Sequence, residues 1–204
     1  MTAVLLLGDS IRMHYQPVVT EVLGPVVPVR GPDENCGSSR VLRASLGRWA
    51  LDALVESTVV HVNAGLHDLR KTPENGWDVE VPLDEYRSNM AEVLDRLIEH
   101  PLVAHVAVAT STPVDERRHN VARHSHRFAA NLAAYNVVLL DLAGERGLML
   151  NDLWRAATTS SAGLLSSDGV HLTPEGSVII GVEVANTLEF LMGGATQARS
   201  TCGA

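Results

Sequence analysis

Two distant segments of this chain hold the residues for nucleophilic chemistry at a carbonyl. Ser10 closes Gly8-Asp9-Ser10, directly after the apolar run Ala3-Val4-Leu5-Leu6-Leu7. Far downstream stands Asp168-Gly169-Val170-His171. A serine hydroxyl is a poor nucleophile until a base takes its proton. Histidine is the usual base, and a carboxylate usually orients it. On a tight turn, the Asp168–His171 spacing brings the carboxylate to one imidazole nitrogen and leaves the other to face Ser10. Each half is weak alone. The tripeptide arises by chance in roughly one chain in twenty of this length, and an isolated Asp-x-x-His is more often a surface turn with a packing histidine. Together, in the order Ser, Asp, His, they point to acyl transfer through a serine.

That chemistry also needs donors for an oxyanion. The Ser10 backbone N–H would stand at a helix start. The Gly37 N–H, in Asn35-Cys36-Gly37-Ser38-Ser39, lies on a loop where glycine permits close approach. In Asn63-Ala64-Gly65-Leu66-His67-Asp68, His67 offers a side-chain N–H and Asp68 a brace for the loop.

These residues need a scaffold that gathers loops at one edge. Four further runs resemble the first: 26–29, 58–63, 103–110 and 137–141. Each is short and apolar on consecutive residues, as strands covered on both faces are. Helical spacing occupies 40–54, 84–100 (Asp84 as N-cap), 120–135 and a last helix opening at Thr173-Pro174-Glu175 and ending at Gly193-Gly194. Strands alternating with helices predict an α/β fold. The expected form is a three-layer α/β/α sandwich on a flavodoxin-like five-stranded parallel sheet. Sites in such sheets collect outside the carboxyl ends of the strands, where the loops after Leu7, Val29, Asn63 and Thr110 all fall. The stretch 70–82 reads as a long loop able to rim the site.

The chain has 204 residues and a formal net charge of -8. The length fits one domain, expected over residues 1–194 with a flexible tail over 195–204. The charge argues against a nucleic-acid partner. No uninterrupted apolar run has membrane-spanning length, so no membrane span is expected. Two distant cysteines, Cys36 and Cys202, argue against a disulfide framework and fit a cytoplasmic setting. A homo-oligomer stays open.

In this order, the blocks resemble those of the SGNH hydrolases, also called GDSL esterases/lipases. Gly8-Asp9-Ser10 resembles the nucleophile block, Gly37 the second-block glycine, Gly65-Leu66-His67-Asp68 the third block (Gly-x-Asn-Asp), and Asp168-Gly169-Val170-His171-Leu172 the final block. The resemblance runs from residue 4 to about residue 190. It implies metal-free and cofactor-free ester hydrolysis of a small-molecule substrate, with Ser10 as nucleophile, His171 as base and acid, and Asp168 as its orienter. It assigns the oxyanion hole to the Ser10 N–H, the Gly37 N–H and the side chain at position 67. One departure stands out: the family asparagine is His67 here. An amide always carries a donor, whereas an imidazole donates only from a protonated nitrogen. Three solutions stay open: His67 with a fixed tautomer, Asn63 in its place, or a hole of two donors.

Around this core, Arg12, His14 and Tyr15 follow Ser10 by about one helical turn and are candidate pocket residues. Trp77 and Trp154 are candidate apolar walls, and Trp49 is expected in the core. We assign substrate contacts to Arg12, Asn63 and Trp77. His119, His124 and His126 are flanked by Arg117, Arg118 and Arg123, which repel a cation, so no metal site is expected. The same arginines suit an anionic substrate group, although a solvated helix start is the simpler reading. The expected function is a serine esterase, taking a small acyl group such as acetyl from a sugar or metabolite. Acyl transfer to an alcohol uses the same residues, and a catalytically weak binding protein is the reading from another class. A flavodoxin-type cofactor binder is disfavoured, because no glycine-rich phosphate loop follows the first strand.

Overall fold

The computed structural model describes residues 2–24, 27–122, 124–160 and 163–200. Five parallel strands form one sheet: β1 (Ala3–Leu7), β2 (Val29–Arg30), β3 (Thr58–Asn63), β4 (Val103–Ala109) and β5 (Met149–Asn151). Their order is β2-β1-β3-β4-β5, the flavodoxin-like order. The central strands are in register from Ala3 opposite Thr58 to Leu7 opposite Val62. Both β1 and β3 are buried along their whole length, as consecutive apolar side chains on both faces require.

Helices α1 (Ser10–Leu23), α6 (Leu153–Thr159) and α7 (Pro174–Ser200) pack together on one face. On the other lie α2 (Ser39–Leu46), α3 (Leu83–Glu99) and α5 (Ala129–Arg146), while α4 (Glu116–Ala122) sits beyond the end of β4. Right-handed crossovers then place every strand-to-helix loop at the same sheet edge.

Several sequence expectations need correction. The run 137–141 is not a strand but the middle of α5. Val138, Leu139 and Leu142 are buried there while Val137 and Leu140 are exposed, which is helical periodicity. The fifth strand is the shorter β5, after Gly147 ends α5 in the left-handed region. The predicted helix over 120–135 divides into α4 and α5, because His126 pairs in extended form with Lys71. Asp84 is not the N-cap of α3. That place is held by Pro82, and Asp84 and Glu85 lie in the first turn, where they complement the helix dipole. Strand β2 begins at Val29, and Val26 lies outside the described residues. Helix α7 continues past Gly193-Gly194 to Ser200, since a glycine costs a helix only about 1 kcal/mol relative to alanine. Residues 201–204, with Cys202, lie outside the described residues.

Over Pro174–Gly193, α7 does reach the length and mean apolarity of a membrane span. Its Ile180, Val184, Ala185 and Leu188 are nevertheless fully buried in the core. Contact with α1 is close: a side chain at Gly181 would meet Val18 Cβ at 2.6 Å. This packing draws the start of α7 toward the start of α1.

Candidate active site

The corner after β1 is built by Asp9. Its Oδ1 accepts the Ile11 N–H at 2.9 Å and caps α1, which places Ser10 first in the helix. The carboxylate is fully buried, and its described hydrogen bond goes to the helix start and not to His171, so its role is structural. Among the described residues no hydrogen bond takes the Ser10 N–H. An N–H at a helix start faces outward in the positive end of the dipole.

The facing turn is shaped by Asp168. Its Oδ1 accepts the N–H groups of Val170 and His171, both at 3.0 Å, and the Ser166 hydroxyl at 2.8 Å. Its Oδ2 lies 2.6 Å from His171 Nδ1. Burial alone would raise the Asp168 pKa. The hydrogen bonds from His171, Val170 and Ser166 outweigh it and hold the carboxyl well below the usual carboxylate range. An ionised carboxylate only accepts, so Nδ1 carries the imidazole proton and Nε2 is bare. Ser10 Oγ donates to that Nε2 at 3.0 Å. Gly169 makes the turn possible: its φ is +76°, and a side chain there would meet Asp115 O at 2.6 Å. Thr173 then caps α7 through Gly176 N–H at 2.9 Å, as its sequence position predicts.

The second and third loops are joined to this corner by backbone. Cys36 N–H donates to Gly8 O at 3.1 Å. Asp68 takes the Ser39 N–H at 2.9 and 3.1 Å, which ties the third loop to the start of α2. Burial, only partly offset by Ser39, pushes the Asp68 pKa up to about 7. Gly37 has the left-handed φ of +65°, but its N–H is occupied, donating to Asn35 Oδ1 at 2.8 Å. Sequence reasoning missed this competitor; an asparagine two residues before a glycine was its signal.

His67 is half-buried on the third loop, and no described hydrogen bond engages its ring. Burial first, then the nearby Arg127 and Arg70 charges, hold it below the usual histidine range. The ring is therefore neutral at neutral pH, with one N–H. Asn63 does not substitute for it: its amide is buried and donates to Ala109 O at 3.1 Å and Thr110 O at 3.2 Å.

The remaining candidates scatter. Arg12 is buried and held by Gln16 Oε1 and Glu34 O, both at 2.7 Å, so it braces the second loop and offers nothing to substrate. Tyr15 is buried on His61 at 3.3 Å. His14 is the exception: its ring stacks on His171 at 5.4 Å between centroids. Trp49 is in the core, with its Nε1 on Glu34. Trp77 is exposed and stacks on His126, and Trp154 is exposed at the start of α6. The loop 70–82 runs beside the His67 loop, clasped by Arg70 on Glu80 and by Lys71 on His126. His119, His124 and His126 take separate partners: the Asp168 carbonyl, Glu74 and the Trp77 ring.

Residues 6–179 match the GDSL-like Lipase/Acylhydrolase family. The chain belongs to that family. Among curated relatives, the GDSL esterase/lipase WDL1 of Oryza sativa subsp. japonica is 28% identical over 159 residues, 74% of this chain and 61% of the relative. The GDSL esterase/lipase CPRD49 of Arabidopsis thaliana is 27% identical over 161 residues, covering 74% and 62%. The chain thus spans about three-fifths of the length of these relatives. The fold is shared with solved structures. A lipase/acylhydrolase from Enterococcus faecalis superposes with a TM-score of 0.74 at 17% identity, covering 91% of this chain and 94% of that one. An acetyl xylan esterase, AlAXEase, gives 0.70 at 17% identity, covering 90% and 98%.

Proposed function

We propose that this GDSL-family chain hydrolyses small carboxylic esters through Ser10, His171 and Asp168. The observation that carries the reading is the continuous relay from Ser10 Oγ to His171 Nε2 (3.0 Å) and from Nδ1 to Asp168 Oδ2 (2.6 Å). As the Ser10 oxygen attacks the acyl carbon, its proton passes to Nε2, and Asp168 stabilises the imidazolium. The tetrahedral oxyanion is received by the Ser10 N–H and by the protonated ring nitrogen of His67. The Gly37 N–H joins when the Asn35 side chain yields it. His171 then gives its proton to the leaving alkoxide, leaving an acyl-enzyme. Water then attacks the acyl carbon while giving a proton to His171; as the tetrahedral intermediate collapses, the bond to Ser10 Oγ breaks and His171 returns the proton to that oxygen, releasing the acid and free Ser10.

A small acyl group, such as acetyl on a sugar or metabolite, suits this site. The His171 side chain is 38% exposed, so water reaches the base, and water access also favours hydrolysis over transfer to another alcohol. That solved neighbours include acetyl xylan esterases supports the same substrate class. Hydrolysis of p-nitrophenyl acetate and labelling by a fluorophosphonate, each beside Ser10→Ala, test the proposal. We expect both in the parent protein and neither in the variant. An inactive, unlabelled parent would leave the binding-protein reading standing. Product analysis with an added acceptor alcohol separates hydrolysis from acyl transfer, and a p-nitrophenyl ester series of increasing chain length tests the preference for small acyl groups.

A further inference from the structure

The segment from Asp115 to Arg127 carries a buried polar relay that the chemistry above does not use. Its first part grips the Asp168–His171 turn by three backbone carbonyls. Asp115 N–H donates to Gly169 O at 2.8 Å, Arg118 Nη1 to Ser166 O at 3.2 Å, and the His119 ring approaches Asp168 O at 3.0 Å through Nδ1. Its last part reaches the other side of the site. Arg127 Nε donates to Leu66 O at 2.7 Å, and Leu66 immediately precedes His67. Between the two parts, Arg127 Nη1 meets His119 Nε2 at 2.8 Å. His119 is 4% and Arg127 8% exposed.

The donors decide the direction of this chain. A guanidinium donates and never accepts, so Nε2 of His119 must be the acceptor. The His119 proton then sits on Nδ1 and donates to Asp168 O. One planar fork therefore serves two acceptors, Leu66 O on the third loop and His119 on α4, a geometry that lysine, with a single point of charge, does not reproduce. Burial pulls Arg127 down only to about 10, so the fork stays charged at neutral pH.

We propose that Arg127 is a positioning residue that, through His119, couples the Asp168–His171 turn to the His67 loop and sets base and oxyanion donor in register. This rests on the ester-hydrolase reading for its kinetic consequence, but the coupling itself is a property of the fold. Neither residue touches the reacting atoms. Their removal therefore lowers kcat with little effect on KM, and because they act as one relay, the losses do not multiply.

The test is a double-mutant cycle of Arg127→Met, His119→Leu and the pair, with kcat and KM measured on p-nitrophenyl acetate. Each single change is expected to lower kcat by about 10- to 100-fold with KM within about three-fold, and the pair should be no worse than the poorer single. Folding is checked by circular dichroism. If Arg127→Met does not fold, Arg127→Lys carries the same test, since it keeps the charge but cannot span both acceptors. A second readout is independent of turnover: the downfield proton resonance of the His171–Asp168 hydrogen bond, expected to shift or broaden in every variant. Unchanged kcat and an unchanged resonance in a folded variant would overturn the proposal, as would losses that multiply. A parent protein without esterase activity whose resonance still moves in the variants overturns the hydrolase reading and leaves the coupling intact.

Discussion

The two halves of the site are built on opposite terms. On the Asp168 side, one carboxylate accepts three local hydrogen bonds on Oδ1 and orients His171 with Oδ2. These four described partners all come from residues 166–171. On the side proposed to receive the oxyanion, the groups come from separate loops: among the described residues nothing takes the Ser10 N–H, Gly37 N–H is taken by Asn35, and His67 has no described hydrogen-bond partner for its ring. The Asp168 half is therefore set before substrate arrives. The other half keeps donors open, as the proposed reception of a developing charge requires. Rigidity stands where a tautomer must be fixed, and open donors stand where charge must be met.

The largest expected effect breaks the Asp168 half. Asp168→Asn would place an amide N–H against His171 Nδ1 and move the imidazole proton to Nε2, where it cannot accept from Ser10. A kcat loss of about 10⁴ is expected, the scale of the same change in a serine protease. A loss below ten-fold, measured on p-nitrophenyl acetate, would contradict the assigned tautomer.

Next comes the open half. His67→Leu should cost about 10²–10³ in kcat, the worth of one oxyanion donor. His67→Asn should stay within about ten-fold of the parent, because an amide restores the donor. If both substitutions behave alike, His67 is not a donor and the hole has only backbone members.

A smaller effect probes redundancy in the turn. Ser166→Ala removes one of the hydrogen bonds on Asp168 Oδ1 and leaves the two backbone donors. We expect a kcat loss of a few-fold and a destabilisation of about 1 kcal/mol, the net worth of one hydrogen bond. Calorimetry and kinetics on the same sample read both.

The smallest effect on turnover belongs to buried groups away from the reacting atoms, and it is read as stability. Burial pushes His61 down to about 3, between Tyr15 and Asn151. Its folded value is below its unfolded one, so its stabilising share is full above about pH 6.5 and is lost as pH falls toward 3. Asp68, pushed up to about 7, has the opposite sign: its share is full at low pH and lost as pH rises from about 4 to 7. Between about pH 4 and 6.5 the two oppose each other. Asp68→Asn should therefore make stability climb with pH by up to about 1.4 kcal/mol per unit relative to the parent, and His61→Asn should make it fall. Unfolding by urea across that range checks both slopes. Slopes parallel to the parent's would mean that neither group titrates differently on folding.

Both strands and corners of the site were legible wherever the cause was local. The run Ala3–Leu7, the turn from Asp168 to His171 and the Thr173-Pro174 helix start follow from neighbours in sequence, and the structure places them so. The run 137–141 was misread because short apolar runs do not distinguish a strand from a buried helix. Arg12 and Asn63 were misassigned for a related reason. A polar residue near a nucleophile looks available until the carbonyls that claim it are known, here Glu34 O for Arg12 and Ala109 O and Thr110 O for Asn63.

By itself the sequence determined the alternating α/β order and the family to which its blocks belong, and it singled out Ser10, Asp168 and His171 as candidates. These rest on residue type, periodicity and spacing within a few positions. The tertiary structure alone decided that Ser10 and His171 meet, since they stand 161 residues apart and only the packing of α1 on α7 joins them. It also decided which donors are open. Hydrogen-bond satisfaction is a property of all the groups within reach, and for Gly37, Asn63 and His67 those groups come from loops whose proximity no local pattern encodes.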